Sequence, residues 1–363
     1  MESSVFFDPM LETKPDFVEC MKRVYAWYEG EILDRVPVRF AGHNEEFNIS
    51  HDASRWPTLK DRWYDTEYRV DSFLSGIQGR VFLGETFPVF WPNLGPNIFA
   101  GMLGCEIEFG DVTSWIHPMI GGPQDLDKIK LDKEGEYYLK LTELTRHALE
   151  RRGYQYLVGY TDMHPGLDCA DALYGTTEVC TGIYDEPDLI RELANRTYVP
   201  FIQLMDEFHE TLKKEKQLSV SWLNIPSYES MHIPSCDLGS MLSKESFDEF
   251  ALPSIEREIR HFPHNLFHVD GPGVARHIDS LLELREIQGY QWVQGVGNDR
   301  PIMQWLDFIR KIQYRKKGVI VDLQTDELDA FIAEMKPAGM YLCINETDES
   351  IQKEIIRKLL RWK

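Results

Sequence analysis

The chain has 363 residues, of which 43% are hydrophobic and 27% are charged. This composition is typical of a folded globular protein and excludes a disordered or collagen-like chain. The 60 acidic and 39 basic residues give a net charge of −21, which disfavours binding to nucleic acid or to an anionic membrane surface. No apolar run is long enough to predict a membrane span, and the N-terminal sequence lacks the features of a secretory signal. We therefore expect a cytoplasmic protein.

The six cysteines are scattered along the chain without a CxxC pair. Structural disulfides are not expected in such a chain when it carries no secretion signal. The length allows either two ordinary domains or one barrel with additions.

Short strand-like runs alternate with amphipathic helices, which is typical of a parallel sheet. The predicted strands are 36–41, one near 80–83, 154–160, 218–223, 265–269, 290–294, 318–323 and 339–344. The clearest predicted helices are 187–214 and 274–284, and Pro253 is expected to bend or interrupt the helix that begins near Ser243. Eight strands with interleaved helices predict an α/β fold of the (β/α)8 TIM-barrel type.

We expect one domain over 1–363, with an N-terminal helical arm at 1–35 and a lid-like insertion at 86–130. An open doubly wound sheet is the alternative architecture. Against it, no GxGxxG motif follows the first predicted strand, and no GxxxxGK[ST] motif occurs in the chain.

Ligand-type residues follow two of the predicted barrel strands. His268 and Asp270 are two residues apart, so their side chains point to one face of a strand. Cys343 lies in the last predicted strand, whose carboxyl end opens at the same barrel mouth. Imidazole, carboxylate and thiolate are zinc ligands, and three protein ligands leave a catalytic position open. They are candidate ligands of zinc or another divalent metal. The alternative is a hydrogen-bonded His–Asp pair with Cys343 packed in the barrel.

Two further polar pairs are candidates for catalysis and proton transfer. His43 and Glu45 follow the first predicted strand, and Asp162 and His164 lie in the loop segment YTDMHPGLD at 160–168. The alternatives are a solvated loop for the first pair and an Asp-capped turn for the second.

Other side chains at the predicted strand ends are candidates for substrate binding. They are Tyr160, Trp222, Asn224, Gln294 and Asn298. The insertion also carries an aromatic group, which either roofs an apolar ligand or forms a small separate core. Its members are Phe87, Phe90, Trp91 and Trp115.

The chain resembles the uroporphyrinogen decarboxylase-like superfamily, which contains the decarboxylase and the corrinoid:coenzyme M methyltransferases. The resemblance is clearest from about residue 150 to the end. It depends on GSMLSKESFDEFALP at 239–253, on FHVDGPGVARHIDSLLEL at 267–284 and on the order of the last three predicted strands. It implies a TIM barrel, and the superfamily's dimers lead us to expect a homodimer.

The two branches of the superfamily imply different chemistry. The methyltransferases bind zinc through an H-x-C pair and a later Cys, and the matching positions here are His268, Asp270 and Cys343. Asp270 replaces the first Cys, which weakens the case for a thiol substrate. The decarboxylases grip their polyanionic substrate with an N-terminal arginine-rich signature, whereas this chain has VRFAGHNEEF at 38–47, with acidic residues in the loop.

The resemblance therefore implies a zinc-dependent methyltransferase that acts on a small molecule and works with a corrinoid carried by a separate protein. A metal-free decarboxylase-like lyase is the alternative within the enzyme class. A barrel that only binds a small ligand is the alternative outside it. Acid and base groups with perturbed pKa values at the mouth would favour an enzyme over a binding protein.

Overall fold

The computed structural model describes residues 8–41, 53–294 and 302–363, and it has an α/β architecture built on parallel strands. The largest sheet has six strands in the order β1-β10-β9-β8-β7-β6, all paired in parallel. A two-stranded parallel sheet joins β2 to β5, and an antiparallel hairpin joins β3 to β4. The strands are β1 (Val38–Phe40), β2 (Val89–Phe90), β3 (Glu106–Phe109), β4 (Ser114–His117), β5 (Leu157–Val158), β6 (Met231–His232), β7 (His264–Asp270), β8 (Gly289–Val293), β9 (Gly318–Gln324) and β10 (Met340–Asn345).

Helices connect the strands and cover the sheets. The α-helices are α1 (Phe17–Tyr28), α2 (Leu59–Tyr64), α3 (Thr66–Ile77), α4 (Ile98–Met102), α5 (Glu136–Arg151), α6 (Gly166–Tyr174), α7 (Thr176–Asp185), α8 (Pro187–Lys214), α9 (Lys244–Ser246), α10 (Leu252–Ile259), α11 (Gly271–Ala275), α12 (Ile278–Leu281), α13 (Leu306–Tyr314), α14 (Leu328–Glu334) and α15 (Glu349–Leu359). The predicted helix at 187–214 is confirmed as α8, with Pro187 in its first turn.

The late strands form where the sequence predicted them because they are buried on both faces. β9 and β10 are almost continuously apolar, GVIVDLQ and MYLCIN, and nearly every residue of β10 is buried. Parallel strands that are buried on both faces typically have nearly continuous apolar sequences of this kind. The strands predicted at 265–269, 290–294, 318–323 and 339–344 are confirmed with ends shifted by one residue.

Two predicted strands are wrong. Residues 80–83 form no strand, and the strand of that region is β2, further along the chain. Residues 218–223 form no regular strand, and Ser219 pairs only with Ser227 in an isolated bridge. The extended run ends in a turn in which Asn224 donates its backbone N–H to the Ser221 carbonyl and takes a φ of 53°.

Two predicted helical segments are interrupted. The helix predicted at 274–284 divides into α11 and α12, where His277 is fully buried and stacks on Phe247. The interruption expected near Pro253 is confirmed. A five-residue π-helical segment, Phe247–Ala251, precedes α10, because proline has no N–H to continue the α-helical pattern.

The α/β class is confirmed, whereas a closed barrel of eight strands stays a prediction. Single backbone hydrogen bonds continue beyond the two parallel sheets. Glu85 donates to the carbonyl of Val38 in β1 at 2.7 Å, and Tyr160, after β5, donates to the carbonyl of Val220 at 2.9 Å. The single domain with its arm and insertion likewise stays a prediction.

Helix α1 covers the amino-terminal starts of the late strands. The Trp27 ring lies against Gly289 and Gly318, the first residues of β8 and β9, and its Nε1 donates to the Gly339 carbonyl at 2.8 Å. This end of the sheet is therefore filled by side chains. The carboxyl ends of the strands lie at the opposite side, where the polar residues collect. Among the described residues, no helix is long and apolar enough to span a membrane.

Candidate functional site

A cavity of about 440 Å³ lies beside the carboxyl end of β7 and the start of α6. Its wall combines carboxylates, imidazoles and aromatic rings from five separate stretches of chain. The lining residues are Trp91, Pro96, Asn97, Phe99, Ala100, Asp162, His164, Asp168, Cys169, Asp171, Ala172, Trp222, Asp237, Leu238 and His268. Three residues predicted for the site, Asp162, His164 and His268, therefore meet at one cavity, together with the predicted substrate-binding residue Trp222.

Asp162 and His164 form a close ion pair in this wall. His164 Nε2 lies 2.8 Å from Asp162 Oδ2, and its Nδ1 lies 2.9 Å from Ser235 Oγ. Burial alone would lower the pKa of His164, but the Asp162 carboxylate, helped by Asp168 and Asp237, raises that pKa to about 10. The imidazole is therefore protonated at neutral pH and donates from both nitrogens.

Asp168, in the first turn of α6, is held by three hydrogen bonds. Ser235 Oγ donates to its Oδ2 at 3.0 Å, and the backbone N–H groups of Asp237 and Leu238 donate to the two carboxylate oxygens at 3.0 and 3.1 Å. These three donors fix the position of the carboxylate. Asp162, His164, Ser235 and Asp168 thus form one hydrogen-bonded row.

Asp237 is a site residue that the sequence analysis missed. Desolvation against the cavity wall and the nearby Asp168 carboxylate raise the pKa of Asp237 to about 7, although His164 partly opposes this. A carboxyl group that titrates near neutrality can both donate and accept a proton. Asp237 lies outside every predicted strand end, so only the packing of residues 235–238 against α6 places it here.

His268 is held as a neutral base. Its Nδ1 lies 2.7 Å from Gln291 Oε1, and an amide oxygen only accepts, so Nδ1 carries the hydrogen and Nε2 the lone pair. Desolvation lowers the pKa of His268. Its ring meets the ring of Trp222 edge to face, with centroids 5.0 Å apart.

Cys343 is engaged in a different set of contacts. Register places Arg39, Cys343 and Asp322 side by side on β1, β10 and β9. Arg39 Nε donates to Cys343 Sγ at 2.8 Å, and the thiol is also hydrogen-bonded to Asp322. Desolvation, reinforced by Asp322, raises the pKa of Cys343 to about 12, so the sulfur is a neutral thiol.

These contacts do not fit the predicted metal site. Cys343 Sγ lies 2.8 Å from Arg39 Nε and accepts its hydrogen bond, so the sulfur contacts a cation and not the other predicted ligands. In the described segments, no group of three or more His, Cys, Asp or Glu side chains has an arrangement that could hold a metal ion. His268, Asp270 and Cys343 are all described, and they are not brought together as ligands. The Asp270 charge contributes to the raised pKa of Asp237 and partly opposes the lowering of the His268 pKa by desolvation.

Other predicted residues lie away from the cavity wall or outside the described residues. Tyr160 is buried and donates its hydroxyl to the Met231 carbonyl at 2.8 Å. Asn224 lies in the turn described above, and Gln294 Oε1 is a buried atom without a hydrogen-bond partner among the residues described. His43, Glu45 and Asn298 fall within 42–52 and 295–301, outside the described residues.

The aromatic residues of the predicted insertion divide between core and cavity. Phe87 and Phe90 are buried in the hydrophobic core, whereas Trp115 is 54% exposed. Only Trp91 of this group lines the cavity, and Phe99 from the same stretch joins it. Phe87 and Phe90 thus belong to the main core and not to a small separate one, and contact of this group with a ligand stays a prediction.

Comparison with known proteins bears on the fold. No protein-family model matches the chain, and no curated protein matches it. Among solved structures, a methyltransferase from Methanosarcina mazei is similar, with a TM-score of 0.61, 12% sequence identity and coverage of 93% of this chain and 99% of that chain. At this identity the likeness shows a shared fold over nearly the whole length of both chains.

Proposed function

We propose that this protein is an enzyme that transfers a methyl group to or from a small molecule bound in the cavity. The observation that carries the proposal is the set of acid and base groups that converge there. Asp237 titrates near pH 7, His268 is a neutral base, and the His164–Asp162 pair is a fixed dipole beside them. Such perturbed groups in a cavity are typical of an active site.

Each group has a role in this proposal. His268 Nε2 removes a proton from the group that accepts the methyl, because its Nδ1 is committed to Gln291. Asp237 takes up that proton and passes it to solvent, so that one proton leaves for each methyl group that the acceptor gains. The protonated His164 orients Ser235 and stabilises negative charge that develops at the reacting atom.

The fold likeness supports methyl transfer as the reaction class. The similar structure is a methyltransferase, and the superfamily resemblance of the sequence implies the same class. A corrinoid carried by a separate protein, implied by that resemblance, is the methyl carrier in our proposal. We assign no step to zinc, because Cys343 contacts Arg39 and the described residues include no group of three ligand side chains arranged for a metal ion.

The chemistry of the cavity disfavours the two alternatives. A porphyrinogen decarboxylase must hold several substrate carboxylates, but the described lining has four aspartates and no lysine or arginine. A protein that only binds a ligand has no need of a carboxyl group that titrates near neutrality.

Methyl transfer to free carriers tests the proposal. Purified protein is incubated with 13C-methyl-labelled methylcobalamin and panels of alcohols, thiols and amines, and, in the reverse direction, with methylated compounds and reduced cobalamin. We expect a new methyl resonance by NMR, or formation of methylcobalamin by visible absorption. Asp237→Asn and His268→Gln should each lower the rate by about 100-fold.

Two matched substitutions serve as controls. Asp111→Asn and His117→Gln change exposed residues of the β3–β4 hairpin region and should leave the rate unchanged. Conversion of uroporphyrinogen to coproporphyrinogen by the wild type, without methyl transfer in either direction, would overturn the proposal in favour of the lyase.

A further inference from the structure

The charges that line the cavity are not balanced. Its described lining holds four aspartates against two histidines, of which only His164 is protonated at neutral pH. That imidazolium is paired with Asp162 at 2.8 Å. The remaining carboxylates have no cationic side chain opposite them in this wall, and Asp270 beyond it adds a further negative charge.

One of these carboxylates also has an unused acceptor. Asp171, in α6, lines the cavity, and its Oδ1 is a buried atom with no hydrogen-bond partner in the described part of the chain. The carboxylate's hydrogen bond with Thr176 therefore involves the other oxygen. Burial raises the pKa of Asp171, and Oδ1 presents no accessible surface to the cavity, so a cation in the cavity would stabilise the ionised carboxylate by its charge and not by a hydrogen bond to Oδ1.

The rest of the wall is aromatic. Trp91 and Phe99 come from the stretch after β2, and Trp222 comes from the segment before β6. His268 fixes Trp222 through the edge-to-face contact. The face of an aromatic ring carries negative electrostatic potential, so rings beside carboxylates favour organic cations over both neutral and anionic molecules.

The size of the cavity suits a small ligand. Its volume of about 440 Å³ is within the range of small-molecule sites. Nε1 of Trp91 and Nε1 of Trp222 present no accessible surface to the cavity, so these two rings would contact a ligand through their carbon atoms.

We propose that the cavity binds a small organic ammonium ion of the N-methylated kind as the substrate. Carboxylates supply the long-range attraction, and the indole and phenyl rings contact the methyl groups. This inference names the substrate class of the proposed methyltransferase. That the ammonium ion is a substrate rests on the proposed function, whereas the argument that the cavity binds it does not depend on any reaction.

A pair of ligands with the same shape and different charge tests the inference. Choline and 3,3-dimethylbutan-1-ol differ in a quaternary nitrogen against a quaternary carbon. Titration calorimetry of the full chain, without any methyl carrier, should show choline binding at least about tenfold more tightly than the alcohol. Succinate, an anion of similar size, should not bind.

Two substitutions locate the site. Asp171→Asn keeps the shape of the side chain and removes its charge, and Trp222→Leu removes an aromatic face. Each should weaken choline binding by about tenfold. Trp222→Phe should retain part of the affinity, and Trp115→Leu, at an exposed tryptophan outside the cavity, should retain all of it.

The outcomes separate this inference from the proposed function. Equal affinity for choline and the alcohol, tighter binding of succinate, or unchanged affinity in both Asp171→Asn and Trp222→Leu would overturn the ammonium site. Selective binding of choline together with no methyl transfer from any ammonium compound would uphold the ammonium site and reject the methyltransferase.

Discussion

At the scale of single residues, the site is organised by competition between carboxylates. Asp168 accepts hydrogen bonds from Ser235 Oγ and from two backbone N–H groups, which fix its position. Asp162 is compensated by the protonated His164. Desolvation and the nearby Asp168 carboxylate raise the pKa of Asp237 to about 7. Three aspartates of identical chemistry therefore lie in three different surroundings.

The titration of Asp237 predicts a pH dependence of stability. Its pKa is about 7 in the folded protein and about 4 in an unfolded chain, so the folded state holds an extra proton between these values. The stability of the wild type relative to Asp237→Asn should therefore be greatest below pH 4 and fall as the pH rises to 7, with no further change above it. Urea unfolding of both proteins from pH 4 to 8 measures this difference.

A constant stability difference between the two proteins over that range would contradict the raised pKa. The exposed Asp111→Asn variant is the matched control. The stability difference between this variant and the wild type should not decrease between pH 4 and 7.

The contacts of Cys343 predict the result of metal analysis. The thiol accepts from Arg39 and is hydrogen-bonded to Asp322, so forming a zinc site would require loss of a proton and separation of both contacts. Wild-type protein incubated with zinc, dialysed and measured by elemental analysis should hold less than one equivalent. His268→Ala and Cys343→Ser should hold the same amount as the wild type.

One equivalent of zinc in the wild type, lost in His268→Ala and Cys343→Ser but kept in Cys180→Ser, would contradict this expectation. It would instead uphold the metal site predicted from the sequence.

At the scale of secondary-structure elements, the strands that the sequence located well are those buried by their neighbours on both faces. β7 to β10 agree with prediction to within one residue at each end. The elements that were predicted wrongly depend on contacts between residues that are distant in the sequence. Residues 218–223 end in a turn, and the helix after β7 divides where His277 packs on Phe247. Local hydrophobic patterning carries no information about such contacts.

The packing of α1 on the late strands gives a stability prediction. A Cβ on Gly318 would lie about 2.6 Å from the Trp27 ring, and the ring is held by its hydrogen bond to Gly339. Gly318→Ala should therefore lower the free energy of unfolding by about 1–3 kcal/mol. Gly76→Ala in α3 is the control, because nothing lies within 4 Å of its added Cβ, and it should be neutral or slightly stabilising.

Urea or thermal unfolding of the two variants measures the effect. Equal stability of Gly318→Ala and Gly76→Ala would show that α1 does not pack on the strand starts in this way.

At the scale of the whole molecule, the net charge of −21 has the same sign as the charge of the aspartates that line the cavity. An acidic surface around an acidic cavity attracts cations over long range and repels anions. The global charge, which in the sequence only argued against nucleic acid, therefore agrees with the ammonium ion proposed for the cavity. The proposed homodimer and corrinoid partner are not needed for this agreement.

The sequence alone determined the α/β class and the late parallel strands, and it selected Asp162, His164 and His268 as candidates, because alternation of apolar runs and the position of polar residues after strands are local signals. Only the tertiary structure decided which of these residues meet. It brought Asp168, Asp171 and Asp237 into the cavity, and it turned Cys343 toward Arg39 instead of His268. The physical reason is that pKa values, ion pairs and cavity walls depend on distances between residues far apart in the chain, which strand register and loop packing set.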